Sequence, residues 1–234
     1  MLISYEHRFI HIAVPRTGSR CTHKFLRKAC TPNTYESGIA PNQQRVNSGT
    51  FPQSGPHVGL DILRHHFPKA WESFRKLVNI RHPYTFCLSA FAWMQSDKGV
   101  QHERLASTPS VHADRRRLAR AYAEFLEEGE QLMLWDEKKY FFLDNAPIDM
   151  HLVRYEDLRA DLQQLSDQWA LGLDVAQDLP QERDMHFRSP SSSAQWLGWT
   201  PHTLMNARAK ALIDERYAWY FERFGYKKEI EDAA

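Results

Sequence analysis

Two short apolar runs, FIHIAV at Phe9 to Val14 and KLVNI at Lys76 to Ile80, lack the polar and apolar alternation of a half-exposed strand. A continuous run of this kind predicts a strand buried on both faces, as in a parallel sheet. The first is punctuated by His11 and bounded by Pro15 and Gly18, with helix expected to resume near Cys21. The stretch from Thr31 to Pro56 is rich in Pro, Asn, Gln, Ser and Gly and reads as a long irregular connection. Helical spacing returns over Val58 to Phe67, over Tyr84 to Met94, and over Arg115 to Glu128, where Leu118, Tyr122, Phe125 and Leu126 share a face. A third strand is expected at Met150 to Val153, then a helix from about Tyr155 to Leu171 and a Pro/Ser-rich stretch at Arg188 to Ser193. Thr200 and Pro201 have the chemistry of an N-cap and first helical residue, opening a last helix that Gly225 ends. Strands alternating with helices predict one α/β domain over residues 1–234, with a central parallel sheet flanked by helices and ligands bound beyond the carboxyl ends of the strands.

Composition narrows the function classes. The chain has 234 residues, 25% of them charged and 42% hydrophobic, with a formal net charge of +1. That is enough length for a core without staples, and the balanced charge argues against a nucleic-acid surface, so any anion site must be local. Cys21, Cys30 and Cys87 match no zinc spacing and suggest a reducing compartment. With no secretory leader pattern and no apolar run of membrane-spanning length, a cytoplasmic protein without a membrane span is expected.

Both buried strands run into turns suited to anions. In PRTGSRC, Gly18 lets the backbone approach a ligand, Thr17, Ser19 and Thr22 carry hydroxyls, and Arg16 and Arg20 carry charge. A Walker A loop is absent, which disfavours ATP with magnesium. In the second segment Arg81 leaves the strand end, Pro83 suits the start of a helix, and Ser89 lies two helical turns on. Such an Arg and Ser can flank one phosphate. His7 and His11 are four apart but straddle a turn and a strand, so no metal site is expected. The Arg115-Arg116-Arg117 run reads as a solvated helix face, and Glu156 as an acid complementing a helix dipole.

PRTGS after a first strand and RHPYxxxxS after a later one resemble the two nucleotide motifs of sulfotransferases that use 3′-phosphoadenosine-5′-phosphosulfate (PAPS). The segment from His57 to Phe91, with VRYEDL at Val153 to Leu158 and FGY at Phe224 to Tyr226, is similar to the carbohydrate branch of that family, Golgi-type and bacterial. The resemblance implies a single-domain, P-loop-like three-layer fold and PAPS as co-substrate, with no metal. It places Arg16, Thr17, Gly18 and Ser19 at the 5′-phosphosulfate, Arg81 and Ser89 at the 3′-phosphate, and Arg188 in a late loop over the nucleotide, while Arg20 is a cofactor-binding candidate through its charge. His57 takes the position of the family's histidine base, with His65 and His66 as weaker alternatives, and Arg16 is the candidate stabiliser of the leaving phosphate. The family commonly has Lys where this chain has Arg16, and hydroxyl residues where it has Arg20 and Cys21. The implied reaction is in-line sulfuryl transfer to a hydroxyl of a sugar or small natural product. Two alternatives stand beside it: a P-loop small-molecule kinase, with Asp149 as nearest candidate metal ligand, and a nucleotide-binding module without turnover.

Overall fold

A computed structural model describes residues 1–31, 34–36, 57–94, 115–130, 136–180 and 199–229. In chain order the strands are β1 (Leu2–Ser4), β2 (Phe9–Ile12), β3 (Thr34–Glu36), β4 (Arg75–Ile80), β5 (Phe142–Leu143), β6 (Ala146–Pro147) and β7 (His151–Arg154). The helices are α1 (Ser19–Ala29), α2 (Leu60–His66), α3 (Pro68–Ser73), α4 (Pro83–Met94), α5 (Arg115–Glu127), α6 (Leu158–Gln168), α7 (Val175–Asp178), α8 (Pro201–Leu204), α9 (Ala207–Arg216) and α10 (Ala218–Phe224). They group into two compact units, Met1–Arg81 with Glu137–Gln181, and His82–Asp136 with Glu182–Ala234.

The first unit holds the main sheet, in the order β3-β1-β2-β4-β7. Its centre is parallel as expected: β2 pairs with β4 through His11↔Leu77, and β4 with β7 through Asn79↔Val153. The sheet as a whole is mixed, because β1 is antiparallel to both β2 and β3. Neither β1 nor β3 is long enough for its periodicity to register, each being three residues. β3 lies inside the stretch read as a loop, whose remaining residues from 37 to 56 fall outside the described ones. On one face, Phe9, Leu77 and Val153 from the strands pack with Phe25 and Leu26 of α1 and Leu162 and Leu165 of α6. Full burial of such side chains is worth about 1.5–3 kcal/mol each, which fixes both helices on the sheet. On the alternate positions of β4, Lys76 extends its ammonium over the Trp71 ring of α3.

The described residues of the second unit are mainly helical. α4 buries residues around most of its circumference, which explains why its sequence is apolar rather than amphipathic. Phe91 is its hub, with ring centroids 5.2 Å from Tyr122, 5.3 Å from Phe125 and 5.5 Å from Trp199. The expected last helix is three shorter ones. Thr200 and Thr203 form a reciprocal cap on α8 with Pro201 in the first turn, Asn206 caps α9 by accepting from the Ala209 amide at 2.9 Å, and Gly225 ends α10 at φ 69°. The first interruption, between α8 and α9, falls at Asn206, whose side chain offers the backbone a competing partner. Arg115 donates to the carbonyls of Thr203 and His202, a structural use of the first residue of the basic run. Among the described residues no helix is long and apolar enough to cross a membrane.

Candidate anion site at the carboxyl edge of the sheet

The turn after β2 is held by its own chain. The Thr17 hydroxyl donates to the Val14 carbonyl at 2.9 Å and the Ser19 hydroxyl to the same oxygen at 2.7 Å. These two side chains, read from sequence as ligand donors, are buried and use their protons to close the turn. Arg16 has φ 61° and Gly18 φ 79°, two left-handed residues that swing the chain into α1. The Cys21 and Thr22 amides bond to the Gly18 carbonyl, and helix geometry leaves the amides before them without an intrahelical acceptor. No side chain caps this end of α1, and its first turn contains no acidic residue.

Arg81 reaches the same turn. Arg81 donates from Nη1 to the Arg16 carbonyl at 3.0 Å, joining the ends of β2 and β4 across 65 residues. Burial, and then the charge of Arg81, lower the Arg16 pKa to about 10. The Arg81 guanidinium lies 3.9 Å from the centroid of the Tyr155 ring. Tyr155 is also the neighbour that a side chain at Gly18 would strike, since a Cβ there would come 2.9 Å from its Cδ2. It is 37% exposed, the one exposed large hydrophobic residue among those described. Sequence reasoning gave it no role; the signal was an aromatic directly after the third parallel strand, at the same edge as the other two turns. Arg20 is exposed on the first turn of α1.

His57 sits just before α2, where its Nδ1 lies 2.7 Å from the Ala13 carbonyl. A carbonyl only accepts, so Nδ1 carries the proton and the neutral ring presents Nε2 as a base. The packing around the ring lowers its pKa below the ordinary histidine value, the bond to Ala13 opposes that shift, and the positive charges of Lys139 and Arg20 add to it. His65 and His66 are on α2, their rings edge to face at 4.9 Å.

The RHPYxxxxS motif is divided. Arg81 ends the first unit, while Ser89 is 6% exposed on α4 in the second. Arg188 lies outside the described residues. Asp149, the acid considered for a kinase, is exposed and precedes β7. Since β4 and β7 are parallel, that is the edge opposite Arg81. Glu156 precedes α6 rather than lying in its first turn, which supplies Asp161 instead. Among the described residues, no group of three or more His, Cys, Asp or Glu could hold a metal ion. The chain matches no protein-family model, no curated protein and no solved structure.

Proposed function

We propose that this protein is a PAPS-dependent sulfotransferase, of P-loop-like architecture, acting on a hydroxyl of a sugar or small natural product. The observation that carries the reading is that Arg81 bonds to Arg16 in the turn leading into α1, an end with no side-chain cap where the helix dipole is itself positive. Positive groups gathered at a helix N-terminus favour phosphate. Arg81, held by the Arg16 carbonyl and the Tyr155 ring, is assigned to the 3′-phosphate, and Arg16 with the first amides of α1 to the phosphosulfate. Ser89 and Arg188 are carried over from the resemblance alone.

In the proposed reaction the acceptor oxygen bonds to sulfur as the bond from sulfur to the 5′-phosphate oxygen breaks, releasing 3′-phosphoadenosine-5′-phosphate (PAP). Arg16 stabilises the charge that collects on the leaving phosphate. His57 takes the acceptor proton at Nε2, for which its Nδ1 bond to Ala13 fixes the tautomer. The test is PAP release from PAPS across a panel of sugars and phenols. Turnover with an acceptor, a His57→Ala rate about 10²- to 10⁴-fold lower, and PAP affinity within about twofold of wild type are expected. Tight PAP binding with no PAPS consumption across the panel would instead indicate a binding module.

A further inference from the structure

Behind the turn, three polar side chains form a chain in the core of the first unit. His11 of β2, Asn79 of β4 and Thr22 of α1 are each 0% exposed. His11 Nε2 lies 3.0 Å from Asn79 Oδ1, and Asn79 Nδ2 donates to Thr22 Oγ1 at 2.8 Å. His11 Nδ1 has no hydrogen-bond partner. Since Asn79 presents its oxygen to His11, Nε2 is the donor and Nδ1 the bare lone pair. The reverse amide orientation would bury an Nδ1 proton with no acceptor, which costs more than an unused acceptor.

Apolar side chains would fill this position at less cost, because a buried polar chain must recover the desolvation of every member. What directional bonds add is a single geometry. Farther along α1, Phe25 and Leu26 bind the helix to the sheet through apolar packing, which tolerates rotation and sliding. Thr22 is placed differently. Its amide bonds to the Gly18 carbonyl at 3.3 Å while its hydroxyl takes the Asn79 proton, so one residue ties the Gly18 peptide to the central strands.

We propose that His11, Asn79 and Thr22 are positioning residues that fix the rotation and height of α1 on β2 and β4, and thereby aim its first amides at the bound phosphates. This rests on the nucleotide reading above. None of the three touches the ligand; they act through the Gly18 turn.

The test compares wild type with His11→Leu/Thr22→Val/Asn79→Leu, which removes every member and leaves no buried polar remnant, and with Thr22→Val and Thr22→Ser. Amide hydrogen exchange in the ligand-free protein and PAP affinity in EDTA are read together. The triple variant should keep the wild-type melting temperature, lose protection selectively at Cys21 and Thr22, and bind PAP about tenfold more weakly, the worth of one buried hydrogen bond. Thr22→Val should show the same direction if the triple variant does not fold, and Thr22→Ser should restore both readouts. Wild-type protection and wild-type PAP affinity in a folded Thr22→Val protein overturn the proposal while leaving the nucleotide reading intact. A wild-type protein that does not bind PAP overturns that reading instead, and the exchange pattern then decides the positioning of α1 by itself.

Discussion

The two ends of β4 are built from the same parts. At its start, Arg75 lies 4.4 Å over the Trp169 ring and donates to the His7 carbonyl at 3.1 Å. Just past its end, Arg81 lies 3.9 Å over the Tyr155 ring and donates to the Arg16 carbonyl at 3.0 Å. Even the partner arginines match, with Arg8 at φ 53° beside the first and Arg16 at φ 61° beside the second. What differs is the polarity of α1. Near Arg75 the helix finishes, its Ala29 carbonyl 2.9 Å from His7 Nε2 and its last turn carrying Arg27 and Lys28, so cations there complement the dipole. Near Arg81 the helix begins, uncapped and without an acid, so two guanidiniums oppose the dipole and each other. An arginine on a ring is therefore a scaffold found at both ends. On the proposed reading, only the end beside the N-terminus of α1 binds phosphate.

Substituting each arginine in turn is the strongest way to break this comparison. Arg81→Ala should weaken PAP binding by about 100-fold or more, since it removes a charge-assisted phosphate contact. Arg75→Ala should leave PAP affinity within about twofold and cost less than about 1 kcal/mol of stability, the scale of an exposed cation–π contact. Equal losses from the two, measured by calorimetric titration, would remove the distinction. A second pair sharpens it. Gly18 and Gly172 have φ of 79° and 67°, so Ala at either carries about 1 kcal/mol of backbone strain. Only at Gly18 would the new Cβ meet Tyr155, whereas Gly172 has nothing within 4 Å. Gly18→Ala should weaken PAP binding about tenfold and Gly172→Ala not at all, with denaturation midpoints reporting the shared strain.

Smaller effects follow from titration. On the proposed reading Arg16 meets the phosphosulfate as a cation, and its pKa is lowered to about 10 from the ordinary arginine value, so PAP affinity should hold from neutral pH upward and fall as pH passes about 10. His11 works in the other direction. Burial first, then the neighbouring charges, hold its pKa well below 6.5, so the native state keeps it neutral while the unfolded chain takes up a proton near 6.5. Its contribution to stability is complete above 6.5 and is lost as pH falls toward its lowered native pKa. His11→Leu should flatten that acid limb in a series of melting temperatures.

Much of the site's frame was legible in the sequence because it is local. The runs at β2 and β4, the turn at Gly18 and the arginine after each strand follow from burial and from turn chemistry at neighbouring positions. The parts that were not legible depend on contacts between distant residues. Asn79 within LVNI carries no local signal of a partner, and its bonds require knowing that Thr22 and His11 face it. Thr17 and Ser19 were read as ligand donors because their hydroxyls fit that chemistry, and nothing local told that both would turn to the Val14 carbonyl. Tyr155 stands 74 positions from Arg81, a separation over which no periodicity speaks.

The central claim is that the end of β4 beside the N-terminus of α1 holds a nucleotide with separate 3′- and 5′-phosphates. Isothermal titration of the protein in EDTA with PAP, beside AMP and ATP with and without magnesium, tests it most directly. The account predicts saturable, metal-independent binding of PAP that weakens sharply for AMP, which lacks the 3′-phosphate, and that disappears in Arg81→Ala. Binding of magnesium ATP in preference to PAP, or PAP binding unaffected by Arg81→Ala, would contradict it.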